Sequence, residues 1–258
     1  MKRRRFLEKG LTLAAEAGVL GGLAKAARAA SAASAASAAS AQSKAYDPSQ
    51  HYYGMGIHID KCIGCGKCVE ACKEENAVPK DAAHFRTWVE RYIVEQDGAV
   101  TVQRIEPKTD RPNETFSNEH AIRTFFVPKL CNQCDNPPCV QVCPVGATFK
   151  TEDGVVLVDA DRCIGCRYCI QACPYGARYL NPLTETADKC TFCYHRITKG
   201  LLPACVEVCP THARIFGDIH SSASPLARFR RMNKLHVLKP SLNTEPKVQY
   251  SNLDGEVR

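Results

Sequence analysis

The sequence predicts an α+β fold assembled from repeated cysteine-bearing units. Two observations lead there. All sixteen cysteines of the 258-residue chain fall in four tight quartets with none left over. Short β-branched runs with turn dipeptides lie beside those quartets, while each quartet itself suits only a short helical turn. The quartets are Cys62, Cys65, Cys68, Cys72; Cys131, Cys134, Cys139, Cys143; Cys163, Cys166, Cys169, Cys173; and Cys190, Cys193, Cys205, Cys209. The first and third read C-x2-C-x2-C-x3-C. The second has a wider gap, "CNQCDNPPCVQVCP", and the fourth a much wider one, "CTFCYHRITKGLLPACVEVCP". All four finish with C-x3-C.

Three chemistries use cysteine at this density: disulfides, zinc and iron–sulfur clusters. Disulfide frameworks scatter their cysteines along irregular loops. Zinc sites pair one C-x2-C with a distant second pair or with histidines. Three of these quartets end in Cys-Pro, for which a zinc site has no need, and the pattern points to iron–sulfur clusters. A compact C-x2-C-x2-C loop supplies three corners of a cubane. Gly64 and Gly165 relax that loop where a positive φ is expected. The third cysteine opens a short helix and the fourth lies one turn on, held away from its own loop's cluster. In two-cluster ferredoxins that fourth thiolate ligates the neighbouring cluster. Pro144, Pro174 and Pro210 then end the turn, since proline disfavours helix in the residue before it. Each pair of quartets is thus expected to form a two-cluster module with crossed ligands. Sixteen cysteines satisfy four [4Fe–4S] clusters.

Taken in chain order, "KRRRFLEKG" from Lys2 places Arg3, Arg4, Phe6 and Leu7 in the twin-arginine export pattern. A weakly apolar stretch follows, interrupted by Glu16 and too short to span a bilayer. Small-residue cleavage patterns stand at Ala27-Arg28-Ala29 and again at Ala39-Ser40-Ala41. Residues 1–29 are therefore expected to be a signal peptide, with cleavage as late as 41 allowed by the second pattern. Residues 30–50, with "SAASAASAASAAS", read as a low-complexity linker. That route carries folded proteins, as a protein loaded with clusters in the cytoplasm requires. A cluster-bearing domain is expected over 51–220. "GIHID" reads as a strand before the first quartet. Residues 77–126 form an insertion, with a hairpin turning at Asp97-Gly98 inside "TWVERYIVEQDGAVTVQRI". Trp88, the only tryptophan, reads as a packing anchor there. "EDGVVLVDADRC" carries an Asp153-Gly154 turn and a strand, and "ARIFGDI" a strand after the last quartet. Residues 221–258 form a polar C-terminal tail, and no later segment is apolar enough to cross a membrane.

The net charge of +7 is inflated by the N-terminus. Seven Lys and Arg against two Glu in residues 1–29 contribute +5, leaving +2 for the remainder. That makes no electrostatic case for nucleic acid. Each oxidised four-thiolate cluster carries roughly −2, so four make the loaded protein acidic. Arg162, Arg167, Arg178, Lys189 and Arg196 sit beside cysteine motifs. They read equally as a solvated face or as charges that offset the clusters. His195 and His212, in and beside the fourth quartet, are candidate hydrogen-bond donors to sulfur rather than ligands. No catalytic triad, phosphate loop or nucleotide fingerprint stands out, and no catalytic residue is expected.

The order of the quartets, the wide fourth gap and "KCTFCYHRI…PACVEVCPTHARIFGD" resemble one family. It is the four-cluster, ferredoxin-like iron–sulfur subunit of the dimethyl sulfoxide, polysulfide and tetrathionate reductases and of nitrite-reductase-linked electron-transfer proteins. The resemblance spans roughly residues 54 to 250. It implies two pseudo-symmetric ferredoxin-type dicluster modules, 54–76 with 186–218 and 127–180, with the insertion and tail wrapping the outside. It also implies the pairing of first quartet with fourth and second with third. Cys62, Cys65, Cys68 and Cys209 would hold the first cluster, and Cys72, Cys190, Cys193 and Cys205 the second. Cys131, Cys134, Cys139 and Cys173 would hold the third. Cys143, Cys163, Cys166 and Cys169 would hold the fourth, and iron is the metal throughout. In the order implied along the wire, the set with Cys143 precedes the set with Cys131. Lys73 stands where the ferredoxin pattern has proline. The implied function is an exported, extracytoplasmic electron-transfer subunit. It would link a quinone-reactive integral membrane subunit to a catalytic subunit, expected to carry molybdopterin. The alternative is a multihaem-cytochrome or sulfite-reduction-linked membrane complex without molybdopterin.

Overall fold

The computed structural model describes residues 46–105 and 120–258 apart from 254, 256 and 258. The expected signal peptide and all but the end of the expected linker lie outside the described residues. Asp47–Arg258 form one compact unit. It mixes short helices with small sheets, an α+β arrangement.

The principal sheet starts with β1 (Tyr53–His58), the strand read from "GIHID". A 3-10 turn, Ile59–Lys61, carries the chain from it to Cys62. Helix α1 (Lys67–Glu75) follows. Then come β2 (Thr87–Glu95) and β3 (Val100–Ile105), antiparallel neighbours joined through Asp97-Gly98. Gly98 sits at φ 83°, and its N–H donates to Glu95 O at 3.0 Å. The strand β4 (Ala121–Leu130) lies antiparallel along the other side of β2, giving the order β3-β2-β4. Pro128 therefore falls on an edge strand, where its missing N–H breaks no ladder bond. Trp88 is buried on β2, its Nε1 donating to Glu90 Oε1 at 2.7 Å.

The quartets that follow bring short elements. Helix α2 (Pro138–Gln141) precedes the hairpin β5 (Thr148–Lys150) and β6 (Val156–Val158). Helix α3 (Tyr168–Gln171) precedes β7 (Arg178–Leu180), which pairs antiparallel with β8 (Ala187–Lys189). Next come α4 (Tyr194–Ile197), α5 (Ala204–Glu207) and β9 (Arg214–Asp218). Helices α2, α3 and α5 run four residues each, and Pro144, Pro174 and Pro210 stand just beyond them. Helix α1, with Lys73 at the matching position, runs nine. Proline's exclusion of the helical conformation at the residue before it accounts for the difference. Helix α1 packs against α5, and α2 against α3. The first quartet's helix thus meets the fourth's, and the second's meets the third's.

Beyond residue 220 the chain enters the principal sheet. Helix α6 (Pro225–Met232) is capped by Ser224, whose Oγ accepts from Leu226 N at 3.1 Å, and starts with proline at its first position. It packs on β9 and β1. After β10 (Leu235–His236), β11 (Val248–Ser251) inserts between β10 and β1, parallel to β1, giving the order β10-β11-β1-β9. Met55, Ile57, Val248 and Tyr250 are fully buried there. Burying apolar side chains of that size contributes about 1.5–3 kcal/mol each, so strands from before the first quartet and after the fourth hold this sheet together.

Candidate metal centres

The cysteine loops turn the same way in all four quartets. The residue before the second cysteine has positive φ each time: Gly64 70°, Gln133 47°, Gly165 69° and Phe192 54°. A Cβ at Gly165 would stand 2.6 Å from the Glu185 carbonyl oxygen, so glycine is needed there for space as well as for φ. Gln133 and Phe192 adopt the same turn against the usual preference, each held by burial. Gln133 is also tied across the fold. Its Nε2 donates to Cys190 O and its Oε1 accepts from Val156 N, both at 2.7 Å.

Sulfurs from different quartets gather around shared hollows. One is lined by Cys62, Cys65 and Cys68 with Cys209 from the fourth quartet. Another is lined by Cys131, Cys134 and Cys139 with Cys173 from the third. Cys72 stands within electrostatic reach of Cys190, Cys205 and Cys193. Asn76 Nδ2 lies 3.6 Å from both Cys72 Sγ and Cys193 Sγ, bridging the first and fourth quartets. Cys163 and Cys169 pack with Val156 and Ala187 in one apolar cluster that also holds Cys139. Cys143 is half-buried and Cys166 exposed, and neither is part of that cluster.

The last cysteines of the three Cys-Pro quartets share a backbone cradle. Burial works against a charge on Cys143. The N–H groups of Thr148, Val145 and Ala147 outweigh it and hold its pKa below the usual thiol value. Burial likewise opposes charge on Cys209, and the N–H groups of Arg214, Ala213 and Thr211 again win. At Cys173 burial and the nearby Cys131 prevail over the N–H groups of Ala177 and Tyr175, and the thiol stays raised. Elsewhere burial pushes Cys62 up to about 11, Cys134 to about 12 and Cys205 to about 11. Loading metal at these thiols must displace protons.

Soft sulfur donors in fours, set around hollows and turned by matching loops, fit a polynuclear iron–sulfur core. Comparison with known proteins agrees. Sequence-family models for a 4Fe-4S dicluster domain match residues 61–147 and 122–219. A tetrathionate reductase subunit from Salmonella typhimurium is 47% identical over 80% of this chain and 74% of its own length. Protein NrfC of Escherichia coli K12 is 37% identical over 95% of this chain and 93% of its own. A polypeptide of the polysulfide reductase from Wolinella succinogenes is 39% identical over 76% of this chain and 92% of its own. The chain belongs to this family of reductase iron–sulfur subunits. It carries [4Fe–4S] dicluster domains and serves electron transfer within a reductase complex.

For a family member the basic residues take on different roles. Arg178 is buried and donates from Nη2 to Cys139 Sγ at 3.0 Å. Lys189 is 1% exposed, its Nζ donating to Cys190 O at 2.8 Å and to Val156 O. These two are charges beside thiols rather than a solvated face. Arg162 and Arg167 are exposed. Arg196 pairs with Glu75 and Glu207. His195 Nε2 also meets Glu75 Oε1, at 2.6 Å, rather than a sulfur, and His212 is exposed. The sequence reading passed over Arg214. It is 2% exposed, with Nη2 3.5 Å from Cys68 Sγ and Nη1 3.8 Å from Cys205 Sγ. The signal was there: "CPYGAR" and "CPTHAR" place Arg178 and Arg214 at the same distance after a cysteine.

Proposed function

We propose that the chain is an exported electron-transfer subunit holding four [4Fe–4S] clusters as a wire between two partner subunits. The observation that carries this is the sharing of one hollow by thiols of two quartets, seen twice. On this reading Cys62, Cys65, Cys68 and Cys209 hold one cluster, and Cys72, Cys190, Cys193 and Cys205 the next. Cys131, Cys134, Cys139 and Cys173 hold another, and Cys143, Cys163, Cys166 and Cys169 the last. A bound [4Fe–4S] cluster takes up and releases one electron at a time. The chain's own residues seat the iron, offset its negative charge through Arg178, Lys189 and Arg214, and keep water from most of the sulfurs. Cys65 and Cys166 alone among the sixteen are exposed. They belong to two different sets, one in each pair of quartets, which gives the wire two open points.

The partners proposed are a molybdopterin-bearing catalytic subunit and a quinone-reactive integral membrane subunit. Support comes from relatives that are themselves subunits of reductases. Among the described residues no helix is long and apolar enough to cross a membrane. Export by the twin-arginine route to the outer face of the membrane is supported by Arg3, Arg4, Phe6 and Leu7. The test is iron and acid-labile sulfide analysis of the full chain purified without oxygen. Four clusters require about sixteen iron atoms per chain. Half that number or less, or zinc in its place, would refute the proposal.

A further inference from the structure

The side-chain amide of Asn132 is buried without a partner among the described residues. Asn132 is 1% exposed, and neither Nδ2 nor Oδ1 has a hydrogen bond to any described residue. Native structures pair nearly all buried polar groups, and an orphaned one costs about 1–3 kcal/mol. The main chain is not orphaned in the same way, because Asn132 O accepts from Lys247 N at 2.9 Å. Nor does burial in this loop by itself strand an amide. The neighbouring Gln133, equally buried, has both amide ends engaged.

Two of the three counterpart positions are apolar and exposed, and the third, Thr191, is half-buried. Ile63 and Ile164 occupy the same place in the first and third quartets, with the same backbone turn, and are 58% and 65% exposed. The second quartet buries this position and fills it with an amide. Asn132 lines the hollow of Cys131, Cys134, Cys139 and Cys173. A group seated in that hollow would therefore lie beside the amide.

We infer that Asn132 donates an Nδ2 hydrogen bond to a sulfur of the cluster seated in that hollow and so raises its reduction potential. The inference rests on the proposed assignment of those four cysteines to one cluster. Cluster sulfur accepts hydrogen bonds and has no proton to give, so nitrogen rather than oxygen faces it. Reduction adds negative charge, which a nearby donor stabilises. Arg178 reaches the same hollow through Cys139 Sγ, and Asn132 acts as a second, neutral donor.

The test uses the full, cluster-loaded chain and an EPR-monitored reductive titration of wild type and N132L, which keeps the volume and removes the donor. The redox equilibrium of one cluster should shift about tenfold toward the oxidised form, about 59 mV downward for a one-electron couple, with the others in place. Pulsed EPR of wild type with 15N-labelled asparagine side chains should show nitrogen coupling on that same signal. Asn76, beside Cys72 and Cys193, gives its coupling on a different signal, which N132L retains. Unchanged potentials in a fully loaded N132L, an equal shift of every signal, or no 15N coupling lost on substitution would each overturn the inference. Should N132L fail to load that cluster, the wild-type spectrum decides: coupling to two distinct signals supports the role of Asn132, and coupling to one or none overturns it. Loss of the site assignment itself would show separately, as missing iron in the wild type.

Discussion

Arg214 shows how one side chain is shared between two thiol sets. Burial alone works against its charge, yet the thiols of Cys68 and Cys205 outweigh that and raise its pKa further above the usual guanidinium value. Thr87 Oγ1 accepts from its Nη2 at 2.7 Å and fixes the fork. Substituting R214M removes a positive charge that faces both sets. Removing one partner of a buried charged pair costs about 3–5 kcal/mol, and reduction then becomes harder at both clusters together. A redox titration of R214M should show two signals moving downward by tens of millivolts, where about 59 mV marks a tenfold change. Movement of a single signal would mean that the guanidinium serves only one set. Nothing in the residue type alone distinguishes this arginine from Arg162 or Arg167, which stay in solvent. Its hydrogen-bond partner Thr87 is remote in sequence. Residue types were therefore legible where local geometry demands them, as at Gly64 and Gly165. They were not where distant packing decides, as at Gln133, Phe192 and Asn132.

Helix length is an element-scale property that a single residue controls. Helix α1 outlasts its three counterparts because Lys73 replaces proline, and the extra turn brings Asn76 to Cys72 and Cys193. Arg86 Nη1 donates to Asn76 Oδ1 at 2.9 Å and sets the amide's orientation. The first quartet thus closes with a side-chain donor where the others close with a backbone cradle. In K73P the helix should end before Cys72, the Asn76 contacts should be lost, and stability should fall by about 3 kcal/mol. Chemical denaturation of the loaded protein measures this. A loss within about 0.5 kcal/mol would show that the last turn of α1 contributes nothing. The short helices, the Asp97-Gly98 turn and the strands beside the quartets were readable from proline, glycine and β-branched runs. The position of β11 was not. Its parallel pairing with β1 joins Val248 to Met55, far apart in the chain, and no local signal encodes such a pairing.

At the scale of the whole molecule, helix packing joins the first quartet with the fourth and the second with the third. The shared hollows follow the same pairing. Gln133 links the second quartet to the fourth through Cys190 O, and Lys189 stands beside that link with its ammonium bonded to the same carbonyl. On the proposed assignment the third quartet, "CIGCRYCIQAC", serves two clusters rather than one. Paired substitutions C166S and C173S in the full chain, examined by EPR of the reduced protein, test it most directly. Crossed ligation requires the two variants to alter different cluster signals, each leaving the other's in place. Alteration of one and the same signal by both variants would contradict it.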